Sequence, residues 1–233
     1  MRTYRTSRGP LVEAPFFSDA EIGSICLDEL RKFDLLPDVP AAIRIERFAE
    51  KRFKLTVGPA DLGEGILGLT KFGSEGVRAM FVSRTLEEDG SISATRRVRS
   101  TIAHEVGHGL LHAHLFVIPT TTPLFGDASD PKTPRVLCRG DAIEGNRAGY
   151  SGDWWEFQAN AAMGHLLMPR PLLERAVDRF LIPVGNLGGR RVYPAQYEHA
   201  IRALAATFDV NPIVARIQVG TLYSTKEDLQ LAL

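Results

Sequence analysis

The chain has 233 residues, of which 44% are hydrophobic and 24% are charged, and Lys plus Arg equal Asp plus Glu at 28 each. This balance is typical of a globular protein with a sizeable core, and it excludes a disordered chain, a collagen-like repeat and a membrane channel. The formal net charge of zero also excludes a protein-wide attraction to nucleic acid or to an anionic membrane.

The amino terminus and the cysteines predict the compartment. Residues 1–10 are basic and polar, and no apolar run of signal-peptide length follows them. No segment of the chain approaches the roughly 20 consecutive apolar residues that span a bilayer. Cys26 and Cys138 stand far apart and form no Cys-x-x-Cys pair, which suits a reducing compartment. We therefore expect a cytoplasmic protein without membrane contact.

Two regions are predicted from composition. Residues 1–40 are rich in proline and are interpreted as an N-terminal arm packed on the main body, with one helix over 18–33. Ser18 followed by Glu21 three residues later is the signature of a capping box at the start of that helix. Residues 41–233 are predicted to form a single domain.

The first part of the domain predicts a helix followed by a small sheet. Apolar residues recur with helical spacing over 41–53, and the segment 53–57 alternates like a strand. Strands are also predicted over 65–72 and 77–83, and the Gly-Ser-Glu-Gly turn at 73–76 would join these two strands into a hairpin.

The second part is predicted to be mainly helical. A long helix is expected over 93–116, and helices are also expected over 153–168 and 170–181. Two further helices meet at 209–211. Between the first and second of these helices, the stretch 117–152 has no sustained period and is interpreted as a long loop, a feature that is often functional.

The most specific motif is His-Glu-x-x-His, formed by His104, Glu105 and His108 within the long helix. Residues four apart lie on one helical face, with about 5–6 Å between their Cβ atoms, so both imidazoles can bind one zinc ion. Glu105 stands where zinc peptidases carry their general base. The motif therefore predicts a zinc peptidase site, unless the two histidines are merely solvated on a polar face.

Three residues are candidates for the third ligand. His114 has the spacing of the metzincin pattern, but that pattern requires a glycine at position 111, which is Leu111 here. His112 lies roughly 6 Å beyond His108 along the helix axis, since each residue adds 1.5 Å. Glu156, on the helix over 153–168, would complete a His₂Glu set. Asp153 and Glu156 also match a capping box, so the local sequence leaves both roles of Glu156 open.

With these motifs the chain resembles the ImmA/IrrE metallo-endopeptidase family. Residues 101–112 read Thr-Ile-Ala-His-Glu-Val-Gly-His-Gly-Leu-Leu-His, which is similar to the metal-binding helix of that family. Glu156-x-Gln158-Ala159-Asn160 and the Leu-Leu-Met-Pro at 166–169 are similar to its second motif. The segment 204–210 matches a third, weaker pattern.

This resemblance implies a zincin-type α+β fold, in which a small β-sheet packs on the His-Glu-x-x-His helix and further helices follow towards the C-terminus. It implies Zn²⁺ as the cofactor, His104, His108 and Glu156 as its ligands, and Glu105 as the general base. By analogy the substrate is a protein, such as a transcriptional repressor or an antitoxin-like regulator, cleaved in a stress response or in the control of a mobile element.

Some details of such a site stay open in the sequence. Tyr193, Tyr197 and His199 lie in one polar stretch and could supply an oxyanion donor, although ordinary packing also explains each of them. Cys138, in the long loop, could bring a thiolate to the open metal position and inhibit the enzyme.

Two other functions are alternatives to a peptidase. Residues 196–219 have the layout of a helix-turn-helix, with Asn211 as an N-cap, so a regulatory DNA-binding module is the alternative. Only Arg216 and Gln218 of its second helix could contact DNA, and binding usually needs more basic groups; we also interpret the basic cluster around Arg99 as a solvated face. A purely structural zinc site is the third reading, and it would not require Glu105.

Overall fold

The structure is a computed structural model of mixed α+β architecture. It describes residues 2–5, 13–116, 135–139, 154–184 and 189–223. Among these residues no helix combines the length and hydropathy needed to cross a bilayer.

Helices account for most of the described chain. In order they are α1 (Asp19–Lys32), α2 (Ile45–Phe53), α3 (Arg84–Glu88), α4 (Ile92–Leu111), α5 (Ala113–Phe116), α6 (Trp154–Leu167), α7 (Arg170–Val177), α8 (Tyr197–Phe208) and α9 (Pro212–Tyr223). Short 3₁₀ turns at Asp178–Phe180 and Pro194–Gln196 precede a strand and a helix, respectively.

The strands form three small sheets. They are β1 (Arg2–Arg5), β2 (Glu13–Phe16), β3 (Gly58–Ala60), β4 (Ile66–Gly73), β5 (Gly76–Ser83), β6 (Arg135–Arg139), β7 (Leu181–Val184) and β8 (Gly189–Val192). The largest sheet has the order β3-β5-β4-β6, in which β3 runs parallel to β5 and the other pairs are antiparallel. The pairs β1-β2 and β7-β8 are separate antiparallel ribbons.

Several predicted elements are confirmed. Ser18 and Glu21 form the expected capping box on α1. Strands β4 and β5 pair as a hairpin in which Gly73 lies opposite Gly76, and the positive φ of 108° at Gly76 is one that glycine adopts without steric cost. The two last helices meet at Asp209, which adopts a left-handed conformation at the C-cap of α8.

The strand predicted over 53–57 is wrong. Helix α2 continues through Phe53, and Lys54 caps it in the left-handed conformation with φ 56°, which turns the chain before β3 begins at Gly58. The apolar residues Leu55 and Val57 pack against the core from an irregular segment. The alternation of apolar and polar residues over 53–57 therefore reflects burial of one side of an irregular segment, and not pairing within a sheet.

The long helix predicted over 93–116 is also interrupted. Helix α4 ends at Leu111, because His112 adopts φ −119° and ψ −10° while its backbone N–H still donates to the carbonyl of His108. The predicted helix over 170–181 likewise ends at Val177. The strands that were not predicted from the sequence are β1, β2, β3, β6, β7 and β8. Strand β6 lies within the stretch interpreted as a loop over 117–152, the rest of which falls outside the described residues.

One contiguous core joins these elements. Helix α1, part of the predicted N-terminal arm, contributes Ile22, Cys26 and Leu30 to the same apolar cluster as the later helices. Helices α4 and α6 are in close contact, because a Cβ on Gly107 of α4 would lie only 3.0 Å from the carbonyl oxygen of Ala159 on α6. This close approach positions α6 against the histidine face of α4. The largest fully buried side chains include Phe48, Phe72, Phe208, Ile22, Leu30, Ile43, Ile45 and Met80.

Candidate metal centre

The His-Glu-x-x-His residues lie in the buried middle of α4. His104 and His108 are 0% exposed and Glu105 is 1% exposed. Helix α4 begins at an N-cap formed by Ser91, whose side chain accepts from the backbone N–H of Ala94. The helix then passes beneath β4 and β5 on one side and α6 on the other, so the motif is enclosed by packing rather than displayed on a polar surface.

Helix α6 brings Glu156 to the two histidines. One carboxylate oxygen of Glu156 lies 3.0 Å from Nε2 of His104, and the other lies 3.4 Å from Nε2 of His108. The two Nε2 atoms are themselves 3.0 Å apart. One donor atom from each of these three residues therefore converges on one point, and the cluster could hold a metal ion.

His104 is oriented from its other ring nitrogen. Its Nδ1 lies 2.9 Å from Oδ1 of Asn160, one helical turn after Glu156 on α6. An amide oxygen only accepts hydrogen bonds, so this contact favours the tautomer of His104 that has the proton on Nδ1 and the lone pair on Nε2. The same face of α6 thus supplies one member of the candidate metal cluster, Glu156, and the group that orients another, His104.

His108 is held through a longer connection. Its Nδ1 lies 3.0 Å from Nδ1 of His112, and Nε2 of His112 lies 3.0 Å from Oε1 of Gln158. The ring of Trp154 packs edge-on against His112 with 5.4 Å between centroids. His112 is therefore a buried partner of His108, and it is not a surface residue.

Glu105 points towards the sheet. Thr70 of β4 donates its hydroxyl to Oε2 of Glu105, whereas Oε1 of Glu105 is buried without a hydrogen-bond partner among the described residues. Gly68 lies directly over this carboxylate, since a Cβ there would be 2.5 Å from Oε1. Burial raises the pKa of Glu105 to about 7, although the nearby His104 and the Thr70 hydrogen bond partly oppose this shift.

The pKa values of the other ionisable groups at this site are shifted by two opposing effects, burial and polar contacts. Burial would raise the pKa of Glu156, but its close polar contacts with His104 and His108 outweigh burial and hold that pKa far below its ordinary value. Burial lowers the pKa of His108. It also lowers the pKa of His112 to about 3, with a contribution from the adjacent His108. The surroundings therefore favour neutral imidazoles at His108 and His112 beside an ionised Glu156.

Of the three candidates for a third ligand, Glu156 is the one that lies with His104 and His108 in a cluster that could hold a metal ion. His112 contacts Nδ1 of His108, the ring nitrogen that points away from this cluster. His114 is exposed on α5. The capping alternative for Glu156 depends on Asp153, which lies outside the described residues. Because the Glu156 carboxylate is engaged with both histidines, the geometry supports the ligand role.

The candidate oxyanion donors have other described contacts. The ring of His199 packs edge-on against Phe180 at 5.8 Å, the guanidinium of Arg216 lies over the ring of Tyr197 at 5.6 Å, and Tyr193 is 44% exposed after β8. Their role as oxyanion donors stays a prediction. The side chain of Cys138 lies outside the described residues, although its backbone pairs with Gly68 across β6 and β4.

The basic residues near the start of α4 and on α9 are engaged in ion pairs. Nε of Arg96 lies 3.0 Å from Oδ1 of Asp209. Arg99, which we expected on a solvated face, is mostly buried and also bonds to Asp209. Arg216 makes a bidentate ion pair with Glu198 at 2.7 and 2.9 Å. These guanidinium groups join elements of the fold.

Sequence reasoning missed three contributors to the site. Thr70 and Gly68 lie on an ordinary-looking strand, and nothing in the local pattern indicates that this strand crosses Glu105. The importance of Gln158 depends on its contact with His112 across helices α6 and α4, which the local sequence does not indicate. Comparisons with protein-family models and with curated proteins find no match to this chain.

Proposed function

We propose that the protein is a zinc-dependent metallo-endopeptidase of the ImmA/IrrE type, with His104, His108 and Glu156 as metal ligands and Glu105 as general base. The observation that carries this proposal is the convergence of two Nε2 atoms and one carboxylate on a single point. The buried Glu105 carboxylate is near enough to interact electrostatically with His104 and Glu156. A cation bound between these donor atoms would give each buried nitrogen and the carboxylate a partner.

The donor spacing fits zinc. Tetrahedral bonds of 2.0–2.1 Å place neighbouring ligand atoms about 3.3 Å apart. The two Nε2 atoms lie 3.0 Å apart, Oε2 of Glu156 lies 3.0 Å from Nε2 of His104, and Oε1 of Glu156 lies 3.4 Å from Nε2 of His108. Each of these contacts is close to that value. Two imidazoles and one carboxylate are also the donor set of catalytic zinc sites, which keep a fourth position open.

The remaining residues support catalysis rather than a purely structural role. When bound in such a site, zinc polarises a scissile carbonyl and lowers the pKa of water to about 7. Glu105 is not a ligand in this set; its pKa of about 7 suits a group that takes a proton from attacking water and passes it to the leaving amine. The hydroxyl of Thr70 holds this carboxylate in one orientation.

The proposed substrate is a protein, in keeping with the resemblance to ImmA/IrrE enzymes, and a regulator such as a repressor or antitoxin is the class that this resemblance favours. The DNA-binding alternative is weakened by the bidentate pairing of Arg216 with Glu198. This pairing neutralises one of the two residues that the second helix could offer to DNA.

Metal analysis of protein purified without added metal tests the site. We expect about one zinc per chain in the wild type and in Glu105→Gln, and a loss of zinc in His104→Ala and Glu156→Ala. His114→Ala is the matched control, because this exposed histidine lies outside the cluster. Zinc that persists in His104→Ala would refute the site.

A peptide-library digest analysed by mass spectrometry tests the reaction. Zinc-loaded wild type should cleave internal peptide bonds, whereas zinc-loaded Glu105→Gln should lose at least about 100-fold of that rate because the general base is removed. Equal cleavage by the two proteins would exclude Glu105 as the base. Full zinc occupancy with no cleavage of peptides or of folded protein mixtures would favour a structural metal site.

A further inference from the structure

We propose that His112 and Gln158 are positioning residues that hold His108 in the tautomer able to bind a metal. This inference rests on the proposed metal site, but its central claim concerns the position of one proton and can be tested on the metal-free protein. The carrying observation is the continuous hydrogen-bonded chain from His108 through His112 to Gln158.

The direction of this chain follows from counting protons. Oε1 of Gln158 can only accept, so Nε2 of His112 must donate to it across 3.0 Å. A neutral imidazole has one N–H, which leaves Nδ1 of His112 as an acceptor. Nδ1 of His108, 3.0 Å away, must then be the donor. The lone pair of His108 is consequently on Nε2, the atom that faces His104 and Glu156.

The surroundings keep this arrangement in place. His112 is 0% exposed, and the edge-on ring of Trp154 covers it, so bulk water does not compete for its nitrogens. His112 follows His108 by four residues and its backbone N–H still donates to the carbonyl of His108, so the two rings are neighbours on one face of α4. The His112 ring has a polar partner at each nitrogen.

The orientation of one interior amide thereby controls two rings. If Gln158 presented its NH₂ group instead, Nε2 of His112 would accept, Nδ1 of His112 would donate, and Nδ1 of His108 would accept. The proton of His108 would then lie on Nε2, 3.4 Å from Oε1 of Glu156, where it would fill the metal position with a hydrogen bond. The observed orientation of Gln158 is the one that leaves this position open.

The hydrogen bonding that orients His108 differs from that which orients His104, the other proposed histidine ligand. His104 reaches an amide directly, through Oδ1 of Asn160, whereas His108 reaches its amide through a second imidazole. Removal of the intermediate ring should therefore affect His108 while leaving the His104 contact intact. Outer partners of metal-binding histidines typically contribute 10–100-fold in affinity.

A matched pair of variants tests the role of the acceptor. His112→Asn retains an oxygen near the position of Nδ1, and His112→Leu has similar volume without an acceptor. Both lose the ring contact with Trp154, so a purely steric role predicts equal effects. Our proposal predicts that His112→Leu weakens Zn²⁺ binding roughly 10–100-fold, measured by competition with a chromophoric chelator, and that His112→Asn restores most of this loss. Equal weakening in both variants would overturn the proposal.

The tautomer itself is read by long-range ¹H–¹⁵N NMR on protein treated with EDTA. In the wild type and in His112→Asn we expect a pyrrole-type Nδ1 and a pyridine-type Nε2 for His108, and in His112→Leu a mixture of the two tautomers. A wild-type His108 protonated at Nε2, or a His112→Leu spectrum identical to wild type, would contradict the assignment.

If His112→Leu does not fold, Gln158→Met tests whether the hydrogen-bonded chain fixes the tautomer of His108. This substitution retains both imidazoles and removes the terminal amide acceptor, so we expect His112 and His108 to lose their single tautomers and Zn²⁺ binding to weaken. Unchanged tautomers in Gln158→Met would refute the proposal. If wild-type protein binds no Zn²⁺, the proposed function fails, while the NMR experiment still decides the position of the His108 proton.

Discussion

Thr70 on strand β4 donates its hydroxyl to Oε2 of Glu105 on helix α4. This contact joins the sheet to the centre of the His-Glu-x-x-His motif, and it is buried at both ends. Two residues earlier on the same strand, Gly68 provides the space that the Glu105 carboxylate occupies. The sheet therefore determines both where this carboxylate lies and how it is oriented.

Thr70→Val is expected to reduce peptide hydrolysis by up to about 100-fold, because a general base that is misplaced by about 1 Å loses that much rate. Valine has nearly the shape of threonine but no hydroxyl. The measurement is the initial cleavage rate of the best peptide from the library digest, with zinc content determined in parallel.

Thr70→Ser is the control for this prediction, since it retains the donor and should keep a rate within a few-fold of wild type. Zinc content should be unchanged in both variants, because Thr70 touches no proposed ligand directly. A Thr70→Val enzyme as active as Thr70→Ser would show that the hydroxyl does not position Glu105.

Gly107→Ala is expected to destabilise the fold by about 1–3 kcal/mol, the usual cost of overpacking. The added Cβ would lie 3.0 Å from both the carbonyl oxygen of Ala159 and the Cβ of Ala162, and neither atom belongs to a flexible side chain. Gly220→Ala on α9 is the matched control, because its Cβ would meet nothing within 4 Å. That variant should gain up to about 1 kcal/mol from helix propensity. Urea denaturation measures both effects, and a neutral Gly107→Ala would contradict the close contact of α4 and α6.

Glu105→Gln should stabilise the metal-free protein in a pH-dependent way. The folded-state pKa of Glu105 is raised from 4.5 to about 7, so the folded state holds a proton that the unfolded state releases between these values. Stability of the wild type therefore falls as the pH rises from about 4.5 to 7, by roughly 3 kcal/mol in total. Glutamine does not titrate and escapes this loss.

Urea denaturation of EDTA-treated protein at pH 5 and pH 8 measures this difference. The advantage of Glu105→Gln over wild type should be small at pH 5 and close to its full value at pH 8. An advantage of the same size at both pH values would mean that the carboxyl does not titrate as its burial implies.

Arg99→Met is expected to cost about 1–3 kcal/mol of stability, the penalty for leaving buried acceptors unsatisfied. The guanidinium of Arg99 donates to the backbone carbonyls of Ile43 and Asp209, and its side chain is 12% exposed. Arg216→Met removes an exposed ion pair and should change stability by less than about 1 kcal/mol. Thermal or urea unfolding compares the two variants. Equal effects would restore the interpretation of Arg99 as part of a solvated face.

The sequence predicted those elements whose signals are local. The capping box at Ser18, the hairpin around Gly73 and Gly76, and the long helix that carries the motif all follow from short-range patterns, and the structure has them within a few residues. The three-residue strand β3 and the ribbon of β7 and β8 were not predicted, because strands of three or four residues are too short to establish a period.

The site was predictable to a different degree for each residue. His104 and His108 share one helical face, so their convergence follows from helix geometry alone. The role of Glu156 depends on the packing of α6 against α4, which local sequence left open between capping and metal binding. Thr70 is a common strand residue, and its contact with Glu105 exists only because β4 crosses α4 at that point.

The three proposed ligands come from two helices that are 43 residues apart in the chain, from Leu111 at the end of α4 to Trp154 at the start of α6. A metal held by both helices would act as a cross-link that the unfolded chain lacks, and its binding energy would add to folding stability. At a free zinc concentration one hundred times the dissociation constant, the gain is about 2.7 kcal/mol. The supply of zinc in the cell would then set how much folded protein survives proteolysis, in addition to how much of it is active.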